Sequence, residues 1–273
     1  MFQVFCRSCG RKWTGRINGL CECGGLLDTS YDHTELKTTS ARGMWKYRGH
    51  LPVAEDTSPV TLGEGATPLH LSKLADDATL YLKDESQNPT GSVKDRALSL
   101  AVTKAKELNI PKATLFSAGS TGLAAAAYAA RADLDLTVFV GAATPAWRFL
   151  QMKVLGAHVA KVQSGTDELM NLLEEIANEH GVYQLTTCRR ANPYQAEAPK
   201  TIAYEVVEQL GGAPDWFIAP IGGGGTLCGV WKGFKELQAF GRISKLPRIL
   251  GVQVEGYDAL AIAFQRGIRG EQE

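Results

Sequence analysis

No run of like charges occurs in this sequence of 273 residues, and its 29 basic and 29 acidic residues balance to a formal net charge of zero. A basic field for nucleic acid, or for an acidic membrane surface, is therefore not expected. No apolar run approaches the ~20 residues that span a bilayer. The opening, MFQVFCRSCG, has no basic region followed by an apolar block, so no signal peptide is expected. Internal repeats and low-complexity tracts are absent, and the five histidines show no ligand spacing. Cysteine is too sparse for a secreted disulfide scaffold: four of the six lie within the first 23 residues, a placement that points to metal or to a reducing compartment. These absences lead to the expectation of a cytoplasmic protein without nucleic-acid or membrane partners.

What is present is a core-forming chain. Hydrophobic residues make up 44%, enough for one large domain or two ordinary ones. Short β-branched or apolar runs recur at 79–83, 113–117, 136–140, 158–162, 216–221 and 248–254. Helical patterns lie between or after them, at about 92–109, 121–132, 146–156, 166–180, 195–210 and 226–239. In the first, Val93, Ala97, Ala101, Ala105 and Leu108 share one face. Strand and helix in repetition predict βαβ units and a mostly parallel sheet. The runs read as continuously apolar more than alternating, as buried parallel strands do. Ligands of such folds bind off the carboxyl ends of the strands.

Three segments stand at such ends. Residues 221–229 (IGGGGTLCG) leave a strand and open a helix. Glycines there let N–H groups approach an anion, and the helix N-terminus adds positive potential. The spacing fits neither the dinucleotide fingerprint nor a Walker A loop. The segment is either a phosphate cup or a tight turn that needs glycine. Residues 115–123 (LFSAGSTGL) also leave a strand. Ser117, Ser120 and Thr121 suit a carboxylate, or serve as caps on an Ala-rich helix. Lys94 lies in the third, residues 88–96 (NPTGSVKDR), at the start of a helix. The positive end of the helix dipole and burial would both disfavour its charge. A lysine of lowered pKa can form a Schiff base with a carbonyl. Pyridoxal 5′-phosphate (PLP) supplies that carbonyl and a phosphate for the glycines, and the substrate carboxylate would fall to the serine loop. Lys94 otherwise reads as a solvated helix lysine.

Residues 88–96, 117–122 (SAGSTG), 192–194 (NPY) and 221–226 (IGGGGT), in this order, resemble threonine synthase, a PLP enzyme family of the tryptophan-synthase-β superfamily (fold type II). Residues 64–69 (EGATPL) and 83–85 (KDE) match its usual entry. The resemblance implies that Lys94 is the Schiff-base lysine and that Gly222, Gly223, Gly224, Gly225 and Thr226 cup the cofactor phosphate. It implies that Ser117, Gly119, Ser120 and Thr121 serve the substrate carboxylate, with Ser120 at the cofactor ring oxygen, and that Asn192 belongs to the substrate wall. Departures stand beside it. Ser120 replaces a usual Asn, and Gln195 replaces an Arg that could hold a substrate phosphate. Relatives also continue beyond the last residues seen here. The C-terminal part of the large domain is therefore expected to be missing, with a Ser or Thr that faces the pyridine nitrogen.

Residues 6–10 (CRSCG) form a metal knuckle, and residues 21–25 (CECGG) a second pair with a one-residue gap. Cys6, Cys9, Cys21 and Cys23 could surround a structural Zn²⁺; the alternative is a ribbon folded without metal. The expected architecture is α/β: two doubly wound domains of PLP fold type II behind a zinc-ribbon-like module. The module covers 1–35. The large phosphate-binding domain covers 36–89 and 191–273, and the small mobile domain covers 90–190. The expected reaction converts O-phospho-L-homoserine to L-threonine and phosphate by γ-elimination and β-hydration. The alternatives are a serine/threonine dehydratase, a β-replacement enzyme such as cysteate synthase, and a catalytically weak PLP-binding homologue. The partner is a small amino-acid substrate, and the assembly a homodimer.

Overall fold

The computed structural model describes residues 2–15, 19–74, 77–163 and 165–268. The chain begins with an antiparallel ribbon in which β1 (Phe2–Cys6) lies between β2 (Lys12–Trp13) and β3 (Leu27–Tyr31). The following stretch, irregular by sequence, turns into a 3-10 helix at Gly43–His50 that buries Met44, Trp45, Tyr47 and His50. Its polar sequence hid this, because its aromatic residues point inward only once the rest of the chain surrounds them. Trp45 Nε1 donates to the buried Glu64 at 2.7 Å. An antiparallel hairpin follows, β4 (Leu69–Ser72) against β5 (Leu80–Lys83).

The first α/β half contains α1 (Lys94–Glu107), β6 (Lys112–Phe116), α2 (Ser120–Ala132), β7 (Asp135–Gly141), α3 (Ala146–Val154), β8 (His158–Val162), α4 (Thr166–His180) and β9 (Tyr183–Gln184). Its four strands are parallel, in the order β8-β7-β6-β9. β7 buries Leu136, Val138 and Val140 fully and the residues between them only in part. Alternation therefore survives in a strand expected to be apolar throughout, because one face is packed more tightly than the other. The core joins Leu115, Val138 and Val140 to Leu98, Val102 and Tyr128 of the covering helices.

The second half holds α5 (Lys200–Leu210), β10 (Trp216–Pro220), α6 (Gly225–Ala239), β11 (Arg248–Val252) and α7 (Ala259–Gln265). β10 and β11 pair in parallel. α5 and α6 approach closely because Gly233 stands against α5: a Cβ there would lie 2.5 Å from the Lys200 carbonyl oxygen. Ile202, Val206, Val230, Phe234 and Leu237 form the core of this half. The helix expected at 195–210 is split. Gln195–Glu197 makes one 3-10 turn, and α5 starts after Pro199. Proline lacks an N–H and fits the start of a helix, where none is needed.

α1 lies between the two halves. The sequence gives it one apolar face, yet every residue from 95 to 105 is buried. Its polar side is satisfied within the protein. Arg96 makes two-pronged contacts with Glu85 and with Glu205, at 2.6–2.8 Å. No helix among the described residues is long and apolar enough to cross a membrane.

Candidate active site

A cleft of about 1520 Å³ opens where the two halves meet. Its walls come from β5, the start of α1, residues 187–189, β10 and the glycine segment that follows it. Lys94 lines this cleft. The sequence before it builds a rigid mount. Gly91 takes φ +82°, the left-handed region that glycine tolerates. Asp95, fully buried, accepts from Thr90 Oγ1 at 2.8 Å and pins the turn. Asn88 accepts from Gly65 N at 3.0 Å and donates to Glu85. Burial holds the Lys94 amine below the ordinary lysine range. No hydrogen-bonding or acidic partner meets Lys94 Nζ among the described residues. An amine in that condition gives up its proton more readily than an exposed lysine does.

Gly222, Gly223, Gly224, Gly225 and Thr226 line the same cleft. Gly224 caps α6 with φ +81°. At Gly222 and Gly223 a Cβ would meet nothing within 4 Å, so the space over these residues is open. Their N–H groups and that of Gly224 take no main-chain partner among the described residues. Open glycines with free donors at a helix N-terminus form a cradle for a phosphate. A half-buried amine without an acid beside it suits an aldehyde. The residues of the cleft therefore fit PLP.

The serine loop stands elsewhere. Ser117 Oγ accepts from Gly119 N and Gly122 N, both at 3.2 Å, so it braces the start of α2. Ser120 begins α2 and Gly119 precedes it. None of these residues lines the main cleft. Thr121 connects to it, its hydroxyl 3.5 Å from that of Thr187, which does. Asn192 is fully buried and away from the cleft walls: Nδ2 donates to Gln184 O at 2.9 Å, and Oδ1 accepts from Tyr194 N at 3.1 Å and Gln195 N at 3.3 Å. It shapes the turn that delivers Gln195 to the cleft. Thr187 and Cys188 also line the cleft and carried no motif. Their position a few residues beyond a strand was the available signal, and β9 is too short to announce itself.

The four N-terminal cysteines converge. Their sulfurs lie within 4.8 Å of one another, with 3.5 Å between Cys6 and Cys23 and 3.7 Å between Cys9 and Cys21. Metal–sulfur bonds of ~2.3 Å at tetrahedral angles require ~3.8 Å between sulfurs. The one-residue gap between Cys21 and Cys23 does not prevent this, and the cluster can hold a metal ion. Gly10 and Gly24, at φ +72° and +82°, turn the two knuckles. The ribbon is bolted to the cleft wall. Asp28 of β3 accepts from Arg189 at 2.6 Å and Lys232 at 3.0 Å. Burial opposes the Asp28 charge, but Lys232 and Arg189 outweigh it and hold the carboxyl at about 2. Gly19 N donates to Arg190 O at 2.9 Å, and Tyr194 packs among Val4, Cys6, Cys21 and Leu27. Residues 187–195 thus have the ribbon on one side and the cleft on the other.

Comparison with known proteins agrees with this chemistry. Residues 60–273 match the family described as pyridoxal-phosphate dependent enzyme. The threonine synthase of Methanocaldococcus jannaschii is 36% identical over 276 residues, covering 96% of this chain and 67% of that protein. The threonine synthase of Methanosarcina acetivorans is 34% identical over 281 residues, covering 98% and 68%. The chain thus spans about two thirds of the length of these relatives. Among solved structures, maize serine racemase superposes with a TM-score of 0.63 at 22% identity, covering 74% of this chain and 60% of that one. The processed form of threonine deaminase isoform 2 from Solanum lycopersicum gives 0.61 at 23%, covering 75% and 58%. These two likenesses speak for the fold. With its two wound halves, its lysine on the first turn of α1 and its glycine cradle on α6, the chain belongs to the pyridoxal-phosphate-dependent enzymes of fold type II.

Proposed function

We propose that this cleft serves the conversion of O-phospho-L-homoserine to L-threonine and phosphate. The observation that carries the reading is the pairing, on one cleft, of a half-buried Lys94, unpartnered among the described residues, with an open glycine cradle, in a chain 36% identical to a threonine synthase. PLP, when bound, supplies a carbonyl that condenses with amines and an electron sink for bonds broken at the substrate Cα. Residues 222–226 would hold its phosphate and Lys94 Nζ would hold its carbon. The chain's own contribution is positioning and proton movement. Lys94 Nζ, kept below its usual pKa by burial, takes and returns protons at Cα and Cβ of the substrate. Ser117, Gly119, Ser120 and Thr121 would receive the carboxylate, reached from the cleft through Thr187. That arrangement calls for closure of the small domain over the cleft, which would also exclude water.

We place the domain limits at 36–89 with 191–273 and at 90–190: one hydrophobic core draws on residues 97–185 together with Val60, the other on Tyr47 and residues 202–243. Zn²⁺ is the ion assigned to the four cysteines on their thiolate chemistry and spacing. A cytoplasmic location follows from such a thiol cluster, which a reducing compartment preserves.

A second reading, a serine/threonine dehydratase, is favoured by one feature. Lys83 and Arg189, the other basic residues that line the cleft, are already paired with Glu205 and Asp28, leaving no second unpaired cation on its described walls for a substrate phosphate. Two measurements test these readings. The purified chain with PLP should show a visible absorption band that borohydride fixes onto Lys94 and that Lys94→Ala lacks. Phosphate release from O-phosphohomoserine then supports threonine synthesis. Ammonia release from serine or threonine, without phosphate release, overturns it in favour of the dehydratase.

A further inference from the structure

Apart from Lys94 Nζ, which the cofactor reading uses, the largely buried polar side chains of the cleft walls find partners within the protein, with one exception among the described residues. Lys83 bonds Glu205, Thr67 O and Gln209; Glu85 bonds Arg96; Arg189 bonds Asp28. Gln195 is 2% exposed and lines the cleft. Its Nε2 donates to the main-chain oxygen of Thr186. A carbonyl accepts only from the N–H end of the amide, so this contact fixes which way the side chain faces. It leaves Oε1 buried and, among the described residues, without a partner. Unpartnered buried oxygens also occur at Thr29, Thr114, Tyr183, Gln184 and Thr186, but none of these residues lines the cleft. The main chain of Gln195 is held as well, its N–H on Asn192 Oδ1 at 3.3 Å and its oxygen on Ala198 N at 3.2 Å.

We infer that Gln195 is a specificity-determining residue whose side-chain oxygen accepts a hydrogen bond from an O–H at Cβ of the amino acid: the hydroxyl of a β-hydroxy amino acid, or the water that becomes it. This rests on the cofactor reading of the cleft and holds for either reaction proposed above. A buried acceptor needs a donor, and leaving it bare costs the full desolvation of the oxygen. Carboxylate and dianionic phosphate oxygens carry only lone pairs and are repelled there. An amino acid in this cleft has two kinds of donor. Its amine is the group that meets the cofactor. The proton on the Cβ oxygen is the one left for Gln195.

The test uses the PLP-loaded chain and the dissociation constants of L-threonine and L-2-aminobutyrate, read from the change in cofactor absorbance. The two ligands differ by one hydroxyl. The unmodified chain should bind threonine about tenfold more tightly, as a site with a buried acceptor discriminates against the ligand that cannot fill it. Gln195→Met should bring the ratio close to one, and Gln195→Glu, which keeps an acceptor, should retain the preference. A merely structural role for Gln195 would lower both affinities and the melting temperature without moving the ratio. A ratio of one in the unmodified chain, or an equal ratio in Gln195→Met, overturns the inference while the cofactor reading stands. Failure of the unmodified chain to take up PLP overturns both.

Discussion

Arg96 offers the sharpest test of how this fold holds α1, the helix that carries Lys94. Its guanidinium is fully buried and grips Glu85 and Glu205 at 2.6–2.8 Å, so it joins α1 to the turn that follows β5 and to α5. Arg96→Met keeps the bulk and removes the charge. Two buried carboxylates then share one remaining cation, Lys83, which is 2.7 Å from Glu205. Breaking a buried ion pair from one side costs about 3–5 kcal/mol. A second route gives a similar size. Burial alone would raise the Glu205 pKa, but Arg96 first and then Lys83 bring it from 4.5 to about 2. At ~1.4 kcal/mol per unit this is on the order of 3 kcal/mol. The folded pKa lies below the unfolded one. The contribution is therefore complete above about pH 4.5 and lost as pH falls toward 2. Urea denaturation followed by tryptophan fluorescence should show the variant about 3 kcal/mol less stable at pH 7, with the gap narrowing below about pH 4. Adding Glu205→Gln to the variant should recover part of the loss. A variant within ~1 kcal/mol of the unmodified protein at pH 7, the range of an exposed ion pair, would refute the reasoning.

Two further outcomes are expected. Lys94→Met should raise the melting temperature of the cofactor-free chain, because a half-buried amine without a partner among the described residues opposes folding. The sign follows from a folded pKa below the unfolded 10.5: the penalty is full below the folded pKa, and the difference between the two proteins should close as pH rises toward 10.5 in a pH series of melting curves. Cys6→Ser should abolish binding of one zinc equivalent per chain in a chromogenic titration. Because the ribbon holds Arg189 and Arg190 against the cleft wall, it should also weaken PLP binding roughly fivefold.

Periodicity placed the large elements well. The strand at 158–162 and the helix at 166–180 match β8 and α4, since each is long enough for its own pattern to decide its state. It failed at β4 and β9, four and two residues long, which are strands only because a neighbour pairs with them. It also failed at Gly43–His50, and at Pro199, where a helical pattern ran across a residue that ends one turn and begins another. In the site, Lys94 and the glycine segment were legible because their backbone requirements are written locally. Gln195 was visible only as a departure from a pattern.

The sequence alone determined the lysine on a helix start, the glycine turn that opens α6, the cysteine cluster and the βαβ order. Each depends on residues close along the chain, whose steric and hydrogen-bonding limits act over a few positions. Only the tertiary structure decided that Asn192 is internal while Gln195 reaches the cleft, that α1 is buried on every side, and that the ribbon braces residues 187–195. Those outcomes depend on which segments, distant in sequence, come to cover a given atom. Burial, unlike backbone geometry, is a property of the whole packed chain.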